Sequence, residues 1–174
     1  MVDKDFQGMI QIYTGDGKGK TTAALGLATR AAGHGMKVIF IQFLKGEKGG
    51  EHFFSRDFKP FQIVQFGKGD IFRKSDAELA EESKQAYQYA EKALVDGKYD
   101  MVILDEIFIA HWRGLLSLQQ IIDLIEKKPA GVELVMTGRK APAEIIKRAD
   151  LVTEMLMIKH PFTEGVDQRK GIEY

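Results

Sequence analysis

Apolar residues along this chain alternate between short runs and longer helix-like stretches. Gly8 to Thr14 reads as a short strand and Thr21 to Gly33 as an Ala- and Leu-rich helix. Lys37 to Phe43 reads as a strand and Phe61 to Phe66 as a weaker one. Ala77 to Leu94 predicts a long helix, ended by the Asp96-Gly97 turn. Met101 to Leu104 is a near-continuous apolar strand. Leu118 to Lys127 predicts a helix that stops before Pro129. Val132 to Met136 then reads as a strand, Pro142 to Ala149 as a helix and Leu151 to Ile158 as a strand. The order is β-α-β, repeated. Strands apolar on both faces need cover on both, so the expectation is one α/β domain over residues 1–174, with a doubly wound, mostly parallel sheet and helices on each side. Two stretches break the pattern. Lys45 to Lys59, with Gly46, Gly49, Gly50 and several charges, reads as a loop. Lys159 to Tyr174, with Pro161, Gly165 and Gly171, reads as an irregular tail. Loops beyond strand ends are where α/β proteins bind ligands.

Composition narrows this picture only modestly. With 44% apolar and 29% charged residues the chain has an ordinary globular make-up. Lys plus Arg and Asp plus Glu both number 25, which argues against a nucleic-acid partner. There is no cysteine, so disulfides and thiolate metal sites are excluded. Neither a signal-peptide core nor a membrane-length apolar run is present. A cytoplasmic location is the expectation.

The candidate chemistry begins where the first strand ends. Thr14-Gly15-Asp16-Gly17-Lys18-Gly19-Lys20-Thr21-Thr22 sits between a strand and a helix, the context in which a phosphate-binding loop is expected. The glycines let backbone approach a ligand, and successive N–H groups form an anion nest at a helix N-terminus. Lys20 supplies a full charge for phosphate oxygens. The hydroxyl of Thr21 can ligate Mg²⁺. The usual spacing G-x-x-x-x-G-K-[ST] puts Thr14 where the first glycine normally stands. The strand Met101-Val102-Ile103-Leu104 ends in Asp105-Glu106, either of which can reach the metal. Thr137-Gly138-Arg139 follows another strand, and Arg139 reads equally as a site cation or a solvated turn. His34, His52, His111 and His160 lack metal-ligand spacing. Phe53, Phe54, Phe58 and Phe61 read as core or as an apolar wall for a flat ligand, and Trp112 is ambiguous in the same way.

Several blocks together resemble the P-loop corrinoid adenosyltransferases. They are Thr14 to Ala24, Arg30 to Gly35, Ile41 to Gly46, Leu104-Asp105-Glu106, Thr137-Gly138-Arg139, and the ending Lys159-His160-Pro161-Phe162, Gly165-Val166, Gly171 to Tyr174. The resemblance runs in order from Ile10 to Tyr174. It implies a RecA-like P-loop NTPase fold, a requirement for Mg²⁺, ATP as co-substrate, a homodimer, and a flavoprotein reductase as a partner. It implies transfer of the 5′-deoxyadenosyl group of ATP to the cobalt of a reduced corrinoid, with triphosphate released. It also implies ATP with its γ-phosphate deepest in the loop, and a tail, 159–174, near the site. Reduced cobalt is itself a strong nucleophile, so the protein's task is orientation and stabilisation of the leaving group. Lys20 and Glu106 are the candidate catalytic residues. Gly15 to Thr22 and Arg139 bind nucleotide, and Thr21, Asp105 and Glu106 are the metal side. By resemblance Gln42, Lys45 and Phe72 lie on the corrinoid side. Two departures stand out. Asp70 occupies a place where relatives carry an aromatic beside that of Phe72. Some relatives also cover the corrinoid with a long N-terminal helix, where only Met1 to Tyr13 precede the loop here. A cap from another segment or subunit is the expectation. The P-loop and acid strand alone would equally allow an ATPase, a small-molecule kinase or a non-catalytic ATP-binding module. A thymidine-kinase-like reading is disfavoured, since that group commonly carries a cysteine zinc site.

Overall fold

A computed structural model describes residues 6–174. Met1–Asp5, part of the N-terminal stretch weighed above, lie outside them. The chain runs β1 (Ile10–Thr14), α1 (Lys20–Gly33), β2 (Val38–Phe43), α2 (Gly50–Phe58), β3 (Gln62–Phe66), α3 (Asp76–Val95) and β4 (Met101–Asp105). It continues with α4 (Ile107–Trp112), α5 (Leu118–Lys127), β5 (Glu133–Thr137), α6 (Ala143–Ile146) and β6 (Leu151–Glu154). Short 3₁₀ turns cover Ile71–Arg73 and Pro161–Glu164. The six strands form one sheet in the order β3-β2-β4-β5-β1-β6, and every pairing is parallel. This is the expected α/β, P-loop NTPase-like architecture.

Alternate residues of each strand feed two apolar layers. Ile39, Ile41, Phe43, Val102, Leu104, Leu134 and Met136 pack with α3, α4 and α5. Val38, Phe40, Met101, Ile103 and Val135 pack with Ala24, Ala28 and Ala31 of α1. Those alanines let α1 lie close to the sheet. Capping boxes start two helices: Ser75 with Glu78 opens α3 and Ser117 with Gln120 opens α5. Among the described residues no helix is long and apolar enough to cross a membrane.

Three expectations need correction. Lys45 to Lys59 is not all loop, because Gly50–Phe58 is α2. That helix contains no buried residue, and its apolar side chains Phe53, Phe54 and Phe58 are exposed instead of turned to the core. The last strand ends at Glu154 rather than Ile158, since the following residues turn across the phosphate loop. α4 was not anticipated. It begins at once after Glu106, whose left-handed backbone (φ 61°) breaks the chain direction between β4 and the helix.

Candidate functional site

Parallel register lines up the candidate site residues at the carboxyl ends of the strands. Gln42 of β2 is paired with Asp105 of β4 and with Gln65 of β3. Leu104 is paired with Met136, so Asp105 and Thr137 are next in line. By strand alternation Gln42, Asp105 and Thr137 project to the α1 side, toward the first turn of that helix. Thr21 meets them there. Its Oγ1 donates to Asp105 Oδ1 at 2.9 Å, Thr137 Oγ1 donates to the same oxygen at 2.6 Å, and Gln42 Nε2 donates to Oδ2 at 3.2 Å. Burial pushes the Asp105 carboxyl upward, while Thr137, the Lys45 charge, Thr21 and Gln42 oppose that rise.

Glu106 follows in a strained conformation for a residue with a side chain. Its N–H donates to Thr137 Oγ1 at 3.0 Å. Burial, then the charge of Asp105, raise its carboxyl to about 7, against the pull of Lys20, Arg139 and Lys45. Lys20 is buried, and its Nζ donates to Gly17 O at 2.7 Å. Burial lowers its pKa, with Glu106 resisting most.

The loop glycines also make room for another segment of the chain. Gly17 N donates to Met155 O at 2.7 Å, and a Cβ on Gly17 would meet Leu156 O at 2.7 Å. The stretch after β6 therefore presses on the loop and allows no side chain there. Lys18 reaches the tail instead: its Nζ lies 2.8 Å from Glu173 Oε1. Arg169 first and Lys18 second pull the Glu173 carboxyl to about 2. Arg139 is half exposed, 3.9 Å from Asp16 across the mouth of the loop. Thr22 follows Thr21 in the first turn of α1.

The three residues expected on the corrinoid side are not equivalent. Gln42 is fully buried beneath Asp105. Lys45 is partly exposed and bonded to Glu51 at 2.5 Å. Phe72 is 89% exposed on the turn after β3. Phe53, Phe54 and Phe58 are exposed on α2, whereas Phe61 is core. Trp112 is exposed with Lys140 Nζ 3.7 Å above its ring. Three of the four histidines serve local structure: His52 Nδ1 accepts from Gly49 N, His160 Nδ1 accepts from Phe162 N, and His111 Nδ1 bonds Leu116 O. A trough of about 1120 Å³ lies between α2 and β3, with Lys48, Arg56, Lys59 and Lys68 along it. No residue of Gly15 to Thr22 lines it. Thr137, Glu51 and Glu173 were not singled out from the sequence. Thr137 was legible only as the first residue of Thr-Gly-Arg and Glu173 only as part of the Gly171 to Tyr174 ending, and Glu51 has no local motif.

These parts make an anion cradle joined to an all-oxygen donor pair, Thr21 and Asp105, with Glu106 adjoining. Hard cations take such oxygens. Among the described residues no three His, Cys, Asp or Glu side chains converge on a metal position. A cation here would complete its shell with phosphate and water, as Mg²⁺ commonly does.

Residues 6–174 match the family described as ATP:corrinoid adenosyltransferase BtuR/CobO/CobP. The chain belongs to that family. A corrinoid adenosyltransferase of Pseudomonas aeruginosa is 37% identical over 174 residues, covering 98% of this chain and 86% of the relative. That of Escherichia coli K12 is 35% identical over 173 residues, covering 98% and 88%. Corrinoid adenosyltransferase CobA of Salmonella typhimurium is 35% identical over 170 residues, covering 97% and 86%. The family match runs to the last residue, so it takes in the tail.

Proposed function

We propose that this chain transfers the 5′-deoxyadenosyl group of ATP to the cobalt of a reduced corrinoid and releases triphosphate, in adenosylcobalamin synthesis or corrinoid salvage. The family match over residues 6–174 carries this reading. In the reaction the cobalt electron pair forms a bond to C5′ of the ribose, the C5′–O bond breaks, and its electrons leave on the triphosphate. No proton has to be removed from the nucleophile. The chain's residues then have two tasks, to hold the triphosphate in line and to stabilise the charge it gains. The loop N–H groups, Lys20 and Lys18 suit the first. Lys20 would exchange its bond to Gly17 O for phosphate oxygen. Arg139 supports the second from the mouth of the loop. Thr21 and Asp105 would hold Mg²⁺, with Glu106 beside them, and the ion would supply charge neutralisation to the phosphates. Phe72, exposed on the turn after β3, would offer an apolar face to the corrinoid. The reading includes a homodimer, which would bring a neighbouring subunit to cover the corrinoid, and a flavoprotein reductase to supply reduced cobalt.

One observation favours a second reading. Glu106 is a buried carboxylate held near neutrality beside the metal acid, a suitable base for activating water in ATP hydrolysis. Products separate the two. The chain is incubated with ATP, Mg²⁺ and chemically reduced cobalamin. Tripolyphosphate and a light-sensitive adenosylated corrinoid are expected, and ADP with neither product rejects adenosyl transfer. Lys20→Ala should abolish product formation with the circular dichroism spectrum retained. Phe72→Ala should slow the reaction begun from Co(II) more than the one begun from Co(I), and equal losses would remove Phe72 from the cobalt face.

A further inference from the structure

Glu51 takes no part in the roles assigned above, yet it closes a chain of contacts that begins at Asp105. It lies in the first turn of α2, and its side chain is only 12% exposed. Its Oε1 accepts from Lys45 Nζ at 2.5 Å and from Gln42 Nε2 at 3.4 Å. The same Gln42 nitrogen donates to Asp105 Oδ2 at 3.2 Å. The orientation of this amide follows from its neighbours, because carboxylates on two sides leave only its NH₂ end able to serve both. One buried amide thus joins the acid beside Thr21 to a second carboxylate, and Lys45 is the cation that neutralises the second. Burial alone would raise the Glu51 carboxyl, but Lys45 overrides it and holds the group below its ordinary range.

The backbone that carries Lys45 is fixed as well. Leu44 adopts a left-handed conformation (φ 49°) directly after β2. Gln65 Nε2, from the edge strand, donates to Lys45 O at 2.5 Å and to Glu47 O at 3.2 Å. A lysine stem has four flexible methylenes and a strongly hydrated head, so a fixed backbone alone does not place its charge. The partner of the ammonium does.

We propose that Glu51 is a positioning residue: it aims the Lys45 ammonium at the phosphate end of the site, beside Gln42 and Asp105, where the cation meets the charge gained by the departing triphosphate. This deepens the adenosyl-transfer reading and rests on it. It also moves Lys45 from the corrinoid side to the leaving-group side.

The test compares wild type with Glu51→Ala, Glu51→Gln, Lys45→Ala and the double alanine variant. Glu51→Ala should lower kcat about tenfold or more, as loss of aim does, with KM for ATP little changed. Glu51→Gln keeps an acceptor oxygen for Lys45 and should recover much of the loss. The double variant should match Lys45→Ala alone, since a positioning residue has nothing left to position. A wild-type kcat in Glu51→Ala, or additive losses in the double variant, would overturn the assignment. If Glu51→Ala does not fold, Glu51→Gln decides: a kcat between those of wild type and Lys45→Ala supports the role, and a Lys45→Ala variant as fast as wild type ends it. Calorimetric titration with magnesium tripolyphosphate reads the position of Lys45 without any turnover. Lys45→Ala should weaken that binding roughly tenfold, the size of a lost charged hydrogen bond. Unchanged tripolyphosphate affinity with a raised corrinoid KM would return Lys45 to the corrinoid side. If wild type yields no adenosylated corrinoid, the reaction assignment fails, while the titration still decides where Lys45 acts.

Discussion

At the scale of single residues, Asp105 and its donors form the most constrained group in the site. Thr137 serves it twice, donating to Asp105 Oδ1 and accepting from Glu106 N. Thr137→Val keeps the shape and removes both bonds. It should lower stability by about 1–3 kcal/mol, the cost of leaving buried polar groups unpaired, seen as a lower urea midpoint with an unchanged m value. An unchanged midpoint would show that Asp105 does not depend on this hydroxyl. Glu106 makes a pH prediction. Its folded carboxyl titrates at about 7, above the ordinary 4.5, so the unfolded chain releases this proton at lower pH than the folded one. Stability from this group is present in full below about 4.5 and is lost as pH rises to about 7. Glu106→Gln should therefore be the more stable protein at pH 8 without Mg²⁺ or nucleotide, by up to roughly 3 kcal/mol. The difference should shrink at pH 5. A gap that does not narrow on acidification would contradict the burial of this carboxyl. The two acids were readable from the sequence because apolar residues precede them. Their division of labour was not, because it depends on Asp105 closing β4 on the α1 side while Glu106 lies beyond the strand in a left-handed turn.

At the scale of elements, the loops after β2 and β3 are closed on each other. Gly69 N donates to Gly46 O at 3.1 Å, and a Cβ at Gly46 would land on Gly69 O. A Cβ at Gly67 would meet Lys45 O at 2.5 Å. These contacts tie the loop that carries Lys45 to the loop that leads to Phe72. Gly46→Ala must separate them, at a cost of about 1–3 kcal/mol typical of overpacking. Corrinoid KM should rise more than ATP KM, because Phe72 moves and the phosphate loop does not. An equal rise in both would place the damage elsewhere. In the sequence Gly46, Gly49 and Gly50 looked like reasons for disorder of pattern. Only pairing between two distant loops shows that Gly46 is there for close approach. α2 was missed for the opposite reason. It buries nothing, so the i, i+4 spacing of Phe54 and Phe58 stands among glycines and charges with no core-facing run to mark it.

At the scale of the whole molecule, the site is a polar rung across a parallel sheet. Gln65, Gln42, Asp105 and Thr137 stand in line on neighbouring strands, and the segment after β6 with the tail closes on the phosphate loop from the far edge. Glu173 anchors that closure through Lys18. Deletion of Arg169–Tyr174 removes mostly exposed residues, so the sheet should keep its melting temperature. The KM for ATP should rise up to about fivefold, the range of an exposed ion pair. An unchanged KM would make the tail a bystander.

The order of the strands along the chain, the helices α1, α3, α5 and α6, the Gly-rich run Thr14 to Thr22, the Asp105-Glu106 pair and the family likeness were legible in the sequence alone. Each is written in a contiguous run with its own periodicity or spacing. The tertiary structure decided what such runs cannot encode. It set the strand order, which makes Gln42 a neighbour of Asp105 across 63 positions. It brought Glu173 to Lys18 across 155, and it turned Glu51 toward Lys45 at the start of a helix with no buried stripe. Those contacts arise from register, chain crossing and burial, which depend on the packing of the whole sheet.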